Sequence, residues 1–359
     1  MSGEDEHGGG GAETPGAGRQ RSRRARLFRA AGIALGCALV VSLAGAAWAY
    51  WHLNQNIKSV DIDSALGDDR PAKSMTTPSP YGAASPSPIP SGALNILVLG
   101  SDSRSGARNQ ELGGGSSDGG ARSDTAMVIH LDEGRTKATV VSIPRDTLVT
   151  RPSCPRESGG STSVSYGAMF NSAYSVGGPV CAVKTVESMT NVRMDHYIEI
   201  DFTGFADLVD ALGGVTVTTE EDISDEDSHL ELDAGTHHLD GTKALALART
   251  RHGIGDQSDL GRIGLQQQLV KALLDQVDTT NLLTNPTRLY RVADALTDSI
   301  TTDTGLDSLT ELMSLGQSLK SLSSATTETV MMPVVPAPSD PNRVVANEPE
   351  ASELWESLR

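Results

Sequence analysis

Arginine and aspartate recur together in short patches along this sequence. The patches are Gly100-Ser101-Asp102-Ser103-Arg104, Arg122-Ser123-Asp124-Thr125, Pro144-Arg145-Asp146, Arg249-Thr250-Arg251 and Asp259-Leu260-Gly261-Arg262. A guanidinium group presents a fixed fork of N–H donors that binds phosphate oxygens two at a time. Carboxylates among such arginines suit a hard cation that bridges substrate phosphates, as Mg²⁺ does. Surface salt bridges explain any single patch equally well, but the whole set favours a pyrophosphate site with a divalent cation.

The predicted strands place these charged residues at strand ends. Apolar runs predict strands at Asn95–Leu99, Ala126–Leu131, Lys137–Ile143, His196–Ile200, Gly214–Thr218 and Thr329–Val335. Asp102 and Arg145 follow the first and the third of these strands, and Asp124 precedes the second. In an α/β chain, charged residues at strand ends face the crevice in which ligands bind.

Helical patterns alternate with these strands. Helices are predicted at Pro179–Thr190, Phe202–Leu212, Gly241–Ala248 and Ser258–Val277, from Asn285-Pro286 onward, and at Ser352–Leu358. Gly213-Gly214 is predicted to end the second of these helices, and Asp240 to cap the third. The alternation predicts an α/β fold in which helices cover both faces of a mixed sheet.

The start of the predicted helix Ser258–Val277 carries polar residues on one face. Asp259, Arg262 and Gln266 are three and four residues apart, so their side chains project from the same side of a helix. The first amide groups of a helix have no internal partner, which favours anions there. We therefore expect these residues to contact a phosphate and its neighbouring sugar. An ordinary solvated helix face is the alternative interpretation.

Arg249 and Arg251 need a different geometry, because residues two apart cannot face the same way on one helix. We expect the preceding helix to end at this point, with Gly253 and Gly255 in a turn that frees both side chains.

The length predicts one large domain, with two small domains as the alternative, and an uncharged span before it predicts a membrane anchor. The 359 residues carry a formal net charge of −17, which argues against nucleic acid as a partner. Residues 1–29 are predicted to be a disordered cytoplasmic tail with a basic block, 30–51 a transmembrane helix, 52–92 a Pro/Ser-rich extracytoplasmic linker with a short strand between Ile57 and Asp63, and 93–359 a single extracytoplasmic catalytic domain. Arginines before the uncharged span predict that the N-terminus stays in the cytoplasm and that the domain lies outside the cell membrane.

A cleaved signal peptide is the alternative to the anchor, with Ala44-Gly45-Ala46 as its small-residue cleavage site. The cysteines agree with an extracytoplasmic domain. Cys37 lies inside the predicted span, and Cys154 and Cys181 lie beyond it. In an oxidising compartment such a pair predicts a disulfide, with two free buried thiols as the alternative.

The charged patches and the segments between them resemble the LytR-CpsA-Psr family of cell-wall glycopolymer transferases. The resemblance begins at Asn95-Ile96-Leu97-Val98-Leu99 and continues in one order through Gly100-Ser101-Asp102-Ser103-Arg104, Arg122-Ser123-Asp124-Thr125, Ser142-Ile143-Pro144-Arg145-Asp146, Asn171-Ser172-Ala173-Tyr174, Gly177-Gly178-Pro179, Asp195-His196-Tyr197, Asp201-Phe202, Leu212-Gly213-Gly214-Val215, Leu239-Asp240-Gly241, Ala244-Leu245-Ala246, Gly261-Arg262 and Gln266-Gln267. Many members place a basic residue directly before the glutamine pair. This chain has Leu265 there, so a phosphate contact from that position is absent.

The resemblance implies a phosphotransferase at the outer face of the membrane. It would move a glycan with its proximal phosphate from a polyprenyl-pyrophosphate carrier onto the muramic acid 6-hydroxyl of peptidoglycan. The implied partners are therefore a polyprenyl-pyrophosphate-linked glycan and a peptidoglycan acceptor, and the implied cofactor is Mg²⁺, with Mn²⁺ as the alternative. A hydrolase that cleaves the same pyrophosphate with water, and a non-catalytic wall-binding or regulatory membrane protein, remain the rival functions. The type of glycopolymer is left open.

Within this function each site residue takes a predicted role. Asp102 and Asp124 hold the metal. The pyrophosphate is bound by Arg104, Arg122, Arg145, Arg249, Arg251, Arg262 and Gln266. Arg145, Arg249, Arg262 and Asp259 form the catalytic set, because stabilising charge on phosphate oxygens is the main task in phosphoryl transfer. Asp146 orients Arg145, and the base that accepts the hydroxyl proton is left open among Asp102, Asp124 and Asp259.

Overall fold

The computed structural model describes residues 17–68, 70–73, 92–101, 123–156, 159–251, 259–279 and 285–359, with the backbone alone at 17–31, 124, 259, 260, 278 and 279. Its first helix, α1 (Ala17–Asn56), contains a stretch, Gly32–Asn56, that is long and apolar enough to cross a membrane. At 1.5 Å per residue, these 25 residues extend about 37 Å, more than the roughly 30 Å hydrocarbon core of a bilayer. Its apolar side chains, such as Leu35 and Val41, are exposed.

The chain divides after His52, and Leu53–Arg359 forms one compact unit around a central sheet. The described strands are β1 (Lys58–Val60), β2 (Leu94–Ser101), β3 (Ser123–Leu131), β4 (Ala138–Ile143), β5 (Leu148–Arg151), β6 (Ser165–Met169), β7 (His196–Asp201), β8 (Val215–Thr219), β9 (Ile223–Asp225), β10 (Leu230–Leu232), β11 (Gly235–Leu239), β12 (Ile300–Asp303), β13 (Thr327–Met331), β14 (Val334–Ala337) and β15 (Asp340–Ala346). Seven of these described strands form the sheet, in the order β1-β12-β7-β2-β3-β4-β13. β2 is buried at nearly every position, as expected for a strand covered on both faces.

The strand directions bring the charged patches to one edge of the sheet. β2 and β7 are parallel, whereas β3 is antiparallel to both β2 and β4. The C-terminal ends of β2, β4 and β7 and the start of β3 therefore lie together, at what we call the upper edge. Three predicted strands are confirmed as β2, β4 and β7: Asn95–Leu99, Lys137–Ile143 and His196–Ile200. Only Lys137 lies outside its strand, because β4 begins at Ala138.

Helices cover both faces of the sheet, as the sequence predicts. The described helices are α2 (Ile62–Leu66), α3 (Ser172–Thr190), α4 (Phe202–Ala211), α5 (Gly241–Arg249), α6 (Asp259–Thr279), α7 (Pro286–Ser299), α8 (Leu309–Ser318) and α9 (Glu350–Glu356), with short 3₁₀ turns at Thr304–Leu306 and Ser324–Thr326. Neighbouring residues of β2 show the two faces. Leu97 packs in one cluster with Val186 of α3, and Ile96 packs in another with Leu315 of α8. A separate cluster joins α4, α5 and α6 to the strands between β8 and β11.

The predicted helix boundaries near the upper edge are largely confirmed. α4 begins after Asp201, whose carboxylate accepts the Gly204 N–H at 2.7 Å, and it ends before Gly213 and Gly214, which have φ of +83° and +91°. Asp240 caps α5 by accepting the Lys243 N–H at 2.9 Å. Glycine is required at the first position of α5, because a Cβ at Gly241 would lie 2.0 Å from the Ala206 carbonyl oxygen. α4 and α5 therefore pack closely.

One predicted helix is confirmed with an extra turn before it, and two predicted elements have the wrong extent. α3 consists of two helices that meet at a kink, where Gly177 and Gly178 have non-helical φ and ψ; the predicted helix Pro179–Thr190 is the second of them, and residues 172–176 form the first. The predicted strand Thr329–Val335 is two strands, β13 and β14, separated around Pro333, which has no N–H to donate to a ladder. The last helix ends at Glu356 and starts at Glu350, two residues earlier at each end than predicted.

Two elements lie in the segment that the sequence predicts to be a linker. β1 pairs with β12 at the edge of the central sheet, so the strand expected between Ile57 and Asp63 is present. α2 buries Ile62 and Leu66 in the core beside α3. The packed part of the domain therefore begins before residue 93, and residues 74–91, with most of the linker prolines, lie outside the described residues.

The predicted disulfide is present in the structure. Cys154 and Cys181 are bonded, with their Cα atoms 5.2 Å apart, and both residues are fully buried. The bond joins the segment that follows β5 to α3.

Candidate active site

A cavity of about 150 Å³ opens at the upper edge of the sheet. Its walls come from the start of β3, the start of α4, the end of α5 and the first turns of α6, together with the turn after β9. Among the described residues, Arg249, Arg251 and Arg262 line it, together with the acidic residues Asp225 and Asp227. The cationic groups outnumber the anionic ones on these walls, so the cavity favours an anionic ligand.

Arg249 and Arg251 reach the same cavity because α5 ends between them. Arg249 is the last residue of the helix, and Thr250 leaves helical geometry with φ of −55° and ψ of 130°. The prediction that the helix ends here is confirmed, while Gly253 and Gly255 lie outside the described residues. The Arg249 guanidinium carbon lies 5.0 Å from the centre of the Phe202 ring, a cation–π contact that restrains the side chain.

Arg262 and Gln266 form the α6 wall, and they are not part of a solvated helix face. Their exposed fractions are only 3% and 7%. The Gln266 side-chain amide donates hydrogen bonds to the Thr125 hydroxyl at 2.9 Å and to the Ala248 carbonyl at 3.0 Å. Gln266 therefore joins α6 to β3 and α5, and Arg262 lies one turn earlier on the same helix. Asp259 begins α6, and its side chain lies outside the described part of the chain.

The start of β3 supplies a polar strand end beside the cavity. Thr125 lines the cavity, and a Cβ at the neighbouring Gly100 would lie 3.2 Å from the Thr125 Cβ, so glycine leaves room for that side chain. The pairing of β2 with β3 passes from Gly100–Thr125 to Ser101–Ser123. Asp124 is therefore the extra residue of a β-bulge, a feature that often lies next to active sites.

Of the two residues predicted to hold the metal, the structure describes only the backbone of Asp124, which lies in this bulge. In the sequence, Asp102 directly follows Ser101, the residue paired with Ser123. Carboxylate oxygens are the ligands that Mg²⁺ prefers, so the donor set fits the ion. Within the described residues there is no group of three or more His, Cys, Asp or Glu side chains that could hold a metal. The Asp102, Arg104 and Arg122 predictions lie outside the described residues, as does the side chain of Asp124.

Arg145 lies at the upper edge but not in the cavity wall. It follows β4, and its backbone carbonyl accepts the Asn171 N–H at 3.0 Å, which fastens this turn to the start of α3. The Arg145 Nε lies 3.7 Å from Asp146 Oδ2, and the orienting role of Asp146 stays a prediction. The same oxygen lies 3.2 Å from Arg343 Nη1 of β15, a partner that the sequence does not reveal.

The cavity also contains residues that were not predicted as site residues: Thr125, Phe202, Asp225, Asp227 and Ser228. Thr125 and Phe202 do stand in the segments that carry the family resemblance. Asp225 is the last residue of β9, and Asp227 and Ser228 lie on the turn after it, within a run rich in acidic residues. The spacing of the acidic residues in this run does not single out Asp225. Only the fold shows that the Asp225 carboxylate is buried, whereas neighbours such as Asp222 and Glu226 are exposed.

A family model described as the LytR_cpsA_psr family matches residues 49–359. The chain belongs to this family. The match includes β1 and α2, in agreement with the packing of both elements in the domain. The mixed sheet and its helices are also found in solved structures of the family. The resemblance seen in the charged patches is thereby confirmed.

Relatives of this chain are named as cell-wall proteins and transferases. It is 34% identical over 269 residues to the probable cell wall biosynthesis protein LcpB of Corynebacterium glutamicum, covering 74% of this chain and 61% of LcpB. It is 32% identical over 221 residues to the polyisoprenyl-teichoic acid–peptidoglycan teichoic acid transferase TagU of Oceanobacillus iheyensis, covering 62% of each protein. The chain therefore matches about three fifths of the length of these relatives.

Solved structures show the same fold. The crystal structure of TagV from B. subtilis matches with a TM-score of 0.57 at 25% identity, over 75% of this chain and 97% of TagV. A LytR-Csp2A-Psr enzyme from Actinomyces oris matches with a TM-score of 0.58 at 23% identity, over 84% of this chain and 95% of that enzyme.

Proposed function

We propose that this protein is a membrane-anchored phosphotransferase of the cell wall. It moves a glycan-1-phosphate from a polyprenyl-pyrophosphate carrier onto peptidoglycan, at the muramic acid 6-hydroxyl. The donor is supported by the name of the TagU relative, which includes a polyisoprenyl carrier and a peptidoglycan acceptor. The membrane location is supported by the apolar stretch Gly32–Asn56 near the N-terminus, which is long and apolar enough to anchor the chain in a membrane that holds a lipid-linked donor.

The observation that carries the proposal is the convergence of Arg249, Arg251 and Arg262 on one cavity at the upper edge of the sheet. These residues come from two different helices and from an extended segment, so no single local pattern brings them together. Guanidinium groups fixed at one place can bind the non-bridging oxygens of a pyrophosphate from several sides. Charge on those oxygens changes during phosphoryl transfer, and preorganised cations stabilise it without reorganisation.

The transfer itself exchanges one phosphorus–oxygen bond for another. The acceptor hydroxyl oxygen attacks the phosphorus that bears the glycan, and the bond from this phosphorus to the bridging oxygen breaks. Polyprenyl phosphate leaves with that oxygen, and the hydroxyl proton passes to a carboxylate of the site, for which Asp102, Asp124 and Asp259 are the sequence candidates. Arg249, Arg251 and Arg262 hold the phosphate oxygens, and Gln266 keeps the α6 wall in place through Thr125.

A divalent cation completes the proposed site. Asp102 and Asp124 would hold Mg²⁺, or Mn²⁺ in its place, at the β-bulge where β2 and β3 separate. Bound there, the ion supplies positive charge to pyrophosphate oxygens and lowers the cost of bringing the anion into the cavity.

The fate of the glycan-bearing phosphorus tests the proposal. Full-length protein in detergent micelles is mixed with Mg²⁺, peptidoglycan fragments and a short polyprenyl-pyrophosphate glycan labelled at that phosphorus. We expect the label to appear in peptidoglycan and unlabelled polyprenyl phosphate to be released. Label found only in soluble glycan phosphate would instead indicate the hydrolase. Label that stays in the donor would indicate the non-catalytic wall-binding protein.

A further inference from the structure

The turn after β9 and the segment after α5 are joined by one buried carboxylate. Asp225 is only 3% exposed, and it lies at the cavity wall. Its Oδ2 accepts the backbone N–H of Arg251 at 2.7 Å. Its Oδ1 accepts the N–H groups of Asp227 at 2.9 Å and of Ser228 at 3.3 Å. The two oxygens of one side chain thus hold both segments.

A second contact joins the same two segments. The Ser228 hydroxyl lies 3.0 Å from the hydroxyl of Thr250, the buried residue between Arg249 and Arg251. The Thr250 hydroxyl donates its own proton to the Ala246 carbonyl at 2.9 Å, so Ser228 is the donor to Thr250. The backbone leaves α5 at Thr250, between these two contacts. The backbone direction at Thr250 determines where the Arg251 side chain points.

We propose that Asp225 is a positioning residue that aims Arg251 at the pyrophosphate, acting through the Arg251 backbone amide. Beyond the end of α5, Arg251 has no helical hydrogen bond to fix its backbone, and the Asp225 carboxylate supplies one. Because the carboxylate also holds Asp227 and Ser228, the turn after β9 and the arginine move as one wall. The inference rests on the proposed function for the identity of the ligand, but the contact itself can be tested without it.

Asp225→Asn is the variant that tests this role. An asparagine keeps the size of the side chain but replaces one carboxylate oxygen with an NH₂ group, which cannot accept a backbone N–H. Asp222→Asn is a matched control. Asp222 lies just before β9 and also accepts a backbone N–H, that of Ala234, at 2.7 Å, but it is exposed and does not line the cavity. Ser228→Ala is a milder second variant, because it removes only the contact to Thr250.

Amide hydrogen exchange measures the contact directly on full-length protein in micelles. We expect exchange at Arg251 to become faster in Asp225→Asn, to change in the same direction but less in Ser228→Ala, and to stay at the wild-type rate in Asp222→Asn. Unchanged protection of Arg251 in Asp225→Asn would overturn the inference, whatever the protein binds.

Binding of inorganic pyrophosphate with Mg²⁺, followed by calorimetry, tests the consequence. We expect Asp225→Asn to weaken binding roughly five- to ten-fold, the effect of one lost hydrogen bond. In an Arg251→Ala background the same substitution should have no further effect, because its action passes through Arg251. An equal loss in both backgrounds would show a general structural role and overturn the inference. If the wild type fails to bind pyrophosphate, the proposed function fails, and the exchange result alone decides the role of Asp225.

Discussion

At the residue scale, the cavity is built from arginines that are each held in a different way. Arg249 contacts the Phe202 ring, Arg251 is held through its backbone by Asp225, and Arg262 is buried on α6 beside Gln266. Arg262 is 3% exposed and Arg249 and Arg251 are half-buried, so water screens the Arg262 charge least, which strengthens its attraction for a phosphate. A cavity organised in this way can stabilise charge during the reaction because its cations are fixed before the substrate arrives.

Asp124→Asn should lower the transfer rate by weakening the metal site. An amide oxygen is a weaker ligand for Mg²⁺ than a carboxylate, so the activity should recover in part when the Mg²⁺ concentration is raised. Transfer rates over a series of Mg²⁺ concentrations measure this, and Asp298→Asn, at an exposed position of α7, serves as the control. A loss that is the same at every Mg²⁺ concentration would contradict a metal-holding role for Asp124.

The residues of the cavity were predictable from sequence only where charge and position coincide. The sequence singles out Arg249 and Arg251 because two arginines two residues apart predict a helix end. It singles out Arg262 and Gln266 because residues four apart share one face of a helix. Asp225 does not stand out, because its carboxylate acts on a residue 26 positions later in the chain, and that proximity exists only in the fold.

At the element scale, the segment after α1 is fastened into the domain by a buried ion pair. The guanidinium of Arg70 contacts the Glu187 carboxylate of α3 at 2.6 and 2.9 Å and the Met194 carbonyl at 2.8 Å, and it also contacts Asp63 of α2. The side chains of Arg70 and Glu187 are 2% and 3% exposed. Burial alone would lower the pKa of Arg70, but the Glu187 carboxylate raises the pKa above its ordinary value on balance.

Arg70→Ala should therefore destabilise the domain strongly. The substitution leaves the Glu187 carboxylate buried without its cation, which costs about 3–5 kcal/mol of unfolding free energy. Urea unfolding of the full chain in micelles, followed by the fluorescence of the buried Trp355, measures the change. Arg359→Ala is the control: its exposed pair with Glu356, at 3.8 Å, should contribute less than about 1 kcal/mol. Equal unfolding midpoints for Arg70→Ala and Arg359→Ala would show that the ion pair does not fasten this segment.

The disulfide between Cys154 and α3 predicts a definite labelling pattern. Under denaturing conditions without reductant, a thiol reagent should label only Cys37, which is free. After reduction it should label all three cysteines of the chain. Mass spectrometry of the labelled peptides distinguishes the two cases, and Cys37 serves as the internal control. Labelling of Cys154 and Cys181 before reduction would mean that the protein carries free thiols at these positions.

The elements that the sequence predicts correctly are those with continuous apolar runs or clear caps. β2 and β4 are buried on both faces, which leaves an unbroken apolar pattern, and α4 and α5 carry Asp201 and Asp240 at their N-termini. The elements that the sequence analysis did not predict include the helix α8, the strand β12 and short hairpins such as β9 with β10. A strand of three residues, Ile223–Asp225, is too short to show a period of two, and its pairing depends on neighbours distant in sequence.

At the scale of the whole molecule, an apolar N-terminal helix precedes a domain whose cavity fits an anionic ligand. The arginines before the apolar stretch predict that the N-terminus stays in the cytoplasm and the domain lies outside. A reporter that is active only outside the cytoplasm, fused after Arg359, should therefore be active. A reporter that works only in the cytoplasm, fused at the same place, is the control and should be silent. The opposite pattern would reverse the topology and remove the cell-wall substrates from reach.

The central claim is that the arginine-lined cavity performs the transfer, and Arg251→Lys tests it most directly. Lysine keeps the positive charge and the backbone N–H that Asp225 accepts, but it lacks the guanidinium fork that binds two phosphate oxygens. The measurement is the initial rate of glycan-phosphate transfer onto peptidoglycan fragments by full-length protein, with Arg291→Lys, at an exposed position of α7, as the control. The account predicts that Arg251→Lys is about 10²- to 10³-fold slower, the cost of losing one charge-stabilising contact in the transition state, while Arg291→Lys keeps the wild-type rate. A wild-type rate for Arg251→Lys would contradict the account.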